Sequence, residues 1–104
     1  MTGIDPIWKG KNFQVDDKIS ILGKFISELD KTDFTTKPDL IVSSHTFEHI
    51  DGIYEEFVKL VDLASDDCLF FIEVPSFEST IKQRRFDQVF HQHLQYFSYS
   101  SMRF

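Results

Sequence analysis

Two histidine pairs carry most of the chemistry open to this sequence. His45 and His49 enclose Glu48 in HTFEH, and His91 and His93 flank Gln92 in HQH. Imidazole exchanges protons near neutral pH and is a common metal ligand, so either pair could move a proton or hold zinc. The H-x-x-E-H spacing serves zinc hydrolysis only on a helix, where residues four apart share a face. His91 and His93 would share a face if their segment were extended. One reading is therefore a mononuclear zinc site drawing on all four histidines and Glu48. A second makes the histidines caps at strand and helix ends without chemistry. A third places them at the mouth of a cofactor cleft.

The elements around HTFEH decide between these readings. It lies in residues 38–51, PDLIVSSHTFEHID, where a β-branched run over residues 39–42 predicts a strand that stops at Ser43 and Ser44. A helix of about four turns should start at Asp51 and Gly52, with Glu55 and Glu56 suiting its positive end. Ile53, Phe57, Leu60, Val61 and Ala64 would form its apolar face, and Ser65-Asp66-Asp67 its end. The apolar run over residues 68–74, CLFFIEV, reads as a strand buried on both faces. Residues 39–74 thus predict a β–α–β unit with a right-handed crossover. HTFEH would then sit on a turn beyond a strand, without the helix zinc hydrolysis needs.

The flanks are less regular. Residues 2–5 read as the tail of a strand stopped by Pro6, residues 8–17 as loop or one weak turn, and residues 18–22 (KISIL) as a short strand ended by Gly23. Residues 25–29 should make a helical turn and residues 30–37 a polar connection. After Pro75 the chain turns polar, then basic at KQRR, then aromatic over residues 86–104. There the expectation is a loop leading into a helix near Ser98. Ligands of open parallel sheets bind beyond the carboxyl ends of the strands. That places Asp5, Gly23, Lys24, the stretch from Ser43 to His49 and the Pro75-Ser76 exit on one candidate edge.

Composition narrows the function classes. At 104 residues the chain is at most one small domain. Its formal charge of −6 argues against a nucleic-acid binder, which needs a basic face. Twelve phenylalanines point to packing or an aromatic-lined pocket. Cys68 is the single cysteine, so no internal disulfide forms, and a reducing cytoplasm is the expected setting. No apolar run reaches the ~20 residues of a membrane span, and no signal peptide is read at the start.

Four segments carry a family resemblance. DLIVSSHTFEHIDG resembles the fourth strand and following turn of class I S-adenosylmethionine-dependent methyltransferases. GIDP is similar to the end of their second strand, whose acidic residue holds the ribose, and LFFIEVPSFES to the fifth strand and its exit. FDQVFHQHLQYFS, residues 86–98, is similar to a signature of a subgroup related to sugar C-methyltransferases. The resemblance covers nearly the whole chain. It implies an α/β fold, a partial Rossmann-like sheet with predominantly parallel strands. Residues 1–104 would be an incomplete domain running from the second strand to the region after the fifth.

The resemblance also assigns roles. S-adenosylmethionine is the implied cofactor, with Asp5, Gly23, Lys24, Ser43, Ser44 and His45 around it. The implied reaction removes a proton from a carbon next to a carbonyl, and that carbon then attacks the sulfonium methyl. His93 would be the base. His49 and Gln92 would position the acceptor or stabilise its enolate, with His91 beside them, and Phe90, Tyr96 and Phe97 would wall the pocket. The acceptor would be a small molecule such as a nucleotide-linked keto-sugar, and no metal, nucleic acid or membrane is implied.

Departures from the family pattern limit this reading. No glycine-rich G-x-G loop is present, Gly23-Lys24 stands where many members have Gly-Asp, and Gln92 and Phe90 replace a glutamate and a tyrosine. The family's first strand would sit between the second and fourth, so the strands here should form two groups without a common ladder. The isolated chain is then expected to be inactive and to self-associate through unpaired strand edges. A zinc-dependent hydrolase using His45, Glu48 and His49, or a non-catalytic interaction module, remain the alternatives.

Overall fold

The elements among the described residues of this chain are brief, with strands of three to five residues and one helix longer than two turns. The computed structural model describes residues 1–103. They divide into two units, Met1–Pro38 with Tyr54–Asp66, and Asp39–Ile53 with residues 67–103.

In the first unit, strand β1 spans Thr2–Ile4 and Pro6 ends it. β2 (Asn12–Gln14) pairs antiparallel with β3 (Ser20–Leu22), which pairs parallel with β1, giving the order β1-β3-β2. Residues 8–17 were expected to lack a strand, and β2 corrects this. All three of its residues are exposed, so it leaves no alternating apolar pattern. Backbone hydrogen bonds hold it instead, aided by Asp16, whose Oδ1 accepts the Lys18 and Ile19 amides at 2.7 and 2.9 Å.

Gly23 closes this sheet. Its amide donates to the Lys11 carbonyl at 3.0 Å, and its carbonyl accepts from Gly10 at 3.2 Å. A Cβ at this position would lie 1.9 Å from the Trp8 carbonyl oxygen, so only glycine fits. Two 3-10 turns follow, Ile26–Glu28 within the expected helical turn and Lys31–Asp33 within the polar connection.

Helix α1, Ile53–Leu63, starts one residue after Gly52, whose φ of 63° glycine adopts without strain. Its 11 residues make about three turns rather than four. Leu60, Leu63 and Ala64 are buried, whereas Val61 is 49% exposed, so Leu63 takes the core place expected of Val61. Leu29, also in this unit, is buried. Each buried leucine contributes about 2 kcal/mol. Lys59 Nζ of α1 donates to the Ser27 carbonyl.

The second unit is built on β4 (Leu40–Ser44) and β5 (Leu69–Glu73), parallel and paired from Leu40↔Leu69 to Ser44↔Glu73. The connection between them runs through α1, so the expected β–α–β order is present. Two details are corrected. Ser43 and Ser44 belong to β4 rather than to the turn beyond it, because their backbones continue the ladder, which His45 extends by donating to the Glu73 carbonyl at 3.0 Å. Nor is β5 buried on both faces. Leu40, Val42, Leu69 and Phe71 share one face and are 56%, 62%, 70% and 62% exposed. An unbroken apolar run records only that both faces avoid polar groups; it takes a covering layer to bury them.

Past Pro75 a short helix, α2 (Phe77–Lys82), replaces the expected polar stretch. Ser76 Oγ accepts the Ser79 amide at 3.3 Å as its N-cap. At its other end Arg84 has φ 54°, and Arg84 and Arg85 donate to the Ile81 and Thr80 carbonyls at 3.1 and 2.9 Å. This is a Schellman ending with arginine where glycine is usual. Among the described residues no helix forms near Ser98, where one was expected: Ser98 and Ser101 hold a turn by exchanging amide-to-hydroxyl bonds of 2.9 and 3.0 Å. The aromatic tail read over residues 86–104 ends at Phe104, which lies outside the described residues.

Among the described residues the chain is therefore mixed α/β, with one small parallel sheet and a second sheet that shares no ladder with it.

Candidate functional site

His45 leaves β4 with φ 50°, a left-handed conformation uncommon for a side-chain-bearing residue. The chain then makes a single 3-10 turn, Phe47–His49. HTFEH is thus not helical, and the face shared by helical residues four apart does not form here. The Glu48 carbonyl accepts the Leu94 and Gln95 amides at 2.7 and 3.1 Å, which ties this turn to the HQH segment 44 residues later in the chain.

The side chains of these segments converge. Glu48 is only 2% exposed. Its Oε1 lies 3.3 Å from His45 Nδ1 and 3.9 Å from His49 Nε2, while its Oε2 is buried without a hydrogen bond. The His93 ring stands 4.1 Å from Phe90, 5.0 Å from His49 and 6.1 Å from Tyr96. Phe77 of α2 packs on Tyr96 at 5.5 Å. An open cleft of roughly 510 Å³ is lined by His49, Gln92 and Leu94.

Backbone carbonyls fix both imidazoles. His49 Nδ1 lies 2.8 Å from the Gln92 oxygen and His93 Nδ1 2.9 Å from the Gln88 oxygen. A carbonyl can only accept, so each Nδ1 carries the proton and each neutral ring keeps its lone pair on Nε2. That tautomer can take a proton or bind a cation through Nε2. His91 is exposed.

The remaining candidates have local partners. Ser44 Oγ donates to Glu73, and His45 Nε2 lies 4.0 Å from Glu73 Oε1. Ser43 is the partly buried residue before it. A second cleft, roughly 260 Å³, is lined by His45, Pro75, Ser76, Thr80, Arg85 and Gln88. In the first unit the Asp5 carboxylate accepts the Ile7 amide at 3.0 Å and Lys24 Nζ binds Asp33 at 2.5 Å. The Asp33 carboxylate holds the Lys24 ammonium above its ordinary range. Gly23 has both backbone groups engaged in its turn.

Sequence reasoning gave no role to Glu73 or Gln88. Glu73 lay hidden inside an apolar strand run. Gln88 acts through its carbonyl, which every residue has, so its side chain carried no signal.

Over part of its length the chain is related to a methyltransferase. The relative is the C-methyltransferase NovU of Streptomyces niveus, 38% identical over 63 residues. The match covers 61% of this chain, and the chain spans about 15% of that protein. No family model matches the chain, and no solved structure does. Among the described residues no helix is long and apolar enough to cross a membrane.

Proposed function

We propose that this chain carries part of the active site of an S-adenosylmethionine-dependent C-methyltransferase, with His93 as the base that removes a proton from the acceptor carbon. The observation that carries the reading is the His93 tautomer: its Nδ1 faces the Gln88 carbonyl at 2.9 Å, which leaves Nε2 to take a proton. The relatedness to a C-methyltransferase supports it. Phe90 and Tyr96 beside His93 supply apolar walls that would limit water around a carbanion. His49 and Gln92, both lining the open cleft, would position the acceptor, a small keto-sugar in this reading, or stabilise its enolate. His91, exposed beside them, would act only once substrate or further chain covers it.

The cofactor half rests on position. Ser43, Ser44 and His45 stand at the carboxyl end of β4, Asp5 follows β1, and Gly23 and Lys24 follow β3. The carboxyl ends of parallel strands are where such sheets bind ligands. In this reading residues 1–104 are an incomplete Rossmann-like domain. The bare face of Leu40, Val42, Leu69 and Phe71 and the unpaired edges of both sheets are in keeping with that. Self-association through those edges and a cytoplasmic setting belong to the same proposal.

The test is a chimaera in which this chain replaces the matching segment of a complete C-methyltransferase. Methyl transfer is expected to persist and to fall about 10²- to 10⁴-fold in His93→Ala. An unchanged rate in that variant would remove His93 from the base role. Weaker binding of the demethylated cofactor in Asp5→Ala would support the cofactor half, and unaltered binding would count against it.

A further inference from the structure

We propose that Glu48, His49 and His93 form a binding site for one divalent transition-metal ion of the zinc or cobalt type. One ligand atom from each of the three lies within 4.8 Å of the other two. The set differs from H-x-x-E-H: His45 has no place in it, and the third ligand comes from HQH. Three features suit it to a cation. Both histidines present Nε2 lone pairs because the Gln92 and Gln88 carbonyls hold protons on Nδ1, the outer-shell arrangement typical of metal-bound histidine. Glu48 is 2% exposed, and its Oε2 lacks the hydrogen bond that a buried carboxylate oxygen requires. A cation held by both oxygens of the Glu48 carboxylate would satisfy Oε2 and offset the cost of burying the charge.

The donor set also selects the ion. Two imidazoles and one carboxylate match first-row divalent ions such as zinc and cobalt, whereas calcium and magnesium prefer all-oxygen sites. Around zinc, ligand atoms bonded at about 2 Å stand roughly 3.3 Å apart. The 3.9 Å from His49 Nε2 to Glu48 Oε1 must therefore shorten by roughly half an ångström, and a pair at the 4.8 Å bound by about 1.5 Å. Rotations of partly exposed rings can supply this. Three protein ligands leave a fourth position to water.

An ion on His93 Nε2 would occupy the lone pair the proposed base uses, so metal binding and proton removal at His93 exclude each other. The test uses the full chain and the metal alone, and its outcome does not depend on methyl transfer. Titration with Co²⁺, followed by visible absorption, and with Zn²⁺, followed by calorimetry, should saturate at one ion per chain. His49→Ala and His93→Ala should each weaken binding at least about tenfold, and His91→Ala should leave it unchanged. Absence of saturable binding, or binding that survives His93→Ala and is lost in His91→Ala, would overturn the site. Should the His49 and His93 variants fail to fold, X-ray absorption on the zinc complex of the unaltered chain decides. Two imidazole ligands support the proposal and fewer than two refute it.

Discussion

The His49 Nδ1 lies 2.8 Å from the Gln92 carbonyl oxygen, one residue before His93. One turn of chain thereby fixes the neighbouring histidine's ring and brings the two imidazoles within 5.0 Å of each other. The same relationship recurs between His93 and Gln88 at 2.9 Å. Both rings should consequently hold the Nδ1-protonated tautomer when neutral. Long-range proton–nitrogen correlation spectra at mildly alkaline pH are expected to show Nε2 unprotonated in both. A protonated Nε2 in either ring would show that its carbonyl does not control it.

Gly23 leaves less room for a side chain than Gly3 or Gly10 does. Its would-be Cβ meets backbone rather than a movable side-chain end. Gly23→Ala should therefore destabilise the three-stranded sheet by about 3 kcal/mol, at the upper end for an overpacked site. Urea denaturation checks this, and a midpoint equal to that of the unaltered chain would contradict it.

Arg84 offers the opposite case. Its φ of 54° costs a side-chain-bearing residue about 1 kcal/mol, and the Schellman bonds of α2 do not need the side chain. Arg84→Gly should raise stability by up to about 1 kcal/mol. A lower thermal midpoint in this variant would indicate that the guanidinium makes a compensating contribution.

The Glu78 carboxylate accepts the Tyr99 amide at 2.8 Å and holds the tail turn to α2. That bond, with help from its own backbone amide and Ser76, keeps the Glu78 pKa below the model-peptide value of 4.5. A depressed carboxylate pKa contributes stability above the unfolded value and loses it as pH falls through 4.5 toward the folded value. The Tyr99 amide resonance should accordingly shift below pH 4.5 and stay constant between pH 6 and 8, and Glu78→Gln should abolish the acid shift.

These features differed in how openly the sequence announced them. The type and order of α1, β4 and β5 were legible because apolar runs and acidic, glycine or proline punctuation coincide there, although the end of β4 and the length of α1 were not. β2 was illegible because it is exposed on all its residues and hydrogen bonds alone define it. α2 was hidden for a different reason: SFEST looks like loop, yet Ser76 is a cap and the helix is only six residues long. Within the site, the histidines stood out by type. The joining of Glu48 to His93 did not, since it depends on the Glu48 carbonyl meeting the Leu94 and Gln95 amides. Main-chain bonds between distant segments leave no mark on residue identity.

The β4–β5 ladder also sets an order of events in time. Its rungs join residues 29 apart, as at Ser44 and Glu73, with α1 between them, whereas β2 and β3 meet across a short connection from Gln14 to Ser20. Closing the longer loop costs more entropy before any rung rewards it. Local antiparallel pairs form within roughly 1–10 μs. Pulse-labelled hydrogen exchange should therefore find amides of β2 and β3 protected before those of β4 and β5. During that interval the apolar run of β5, with Leu69, Phe71 and Ile72, has not yet joined its ladder, and that is when a nascent chain would need shielding from its neighbours.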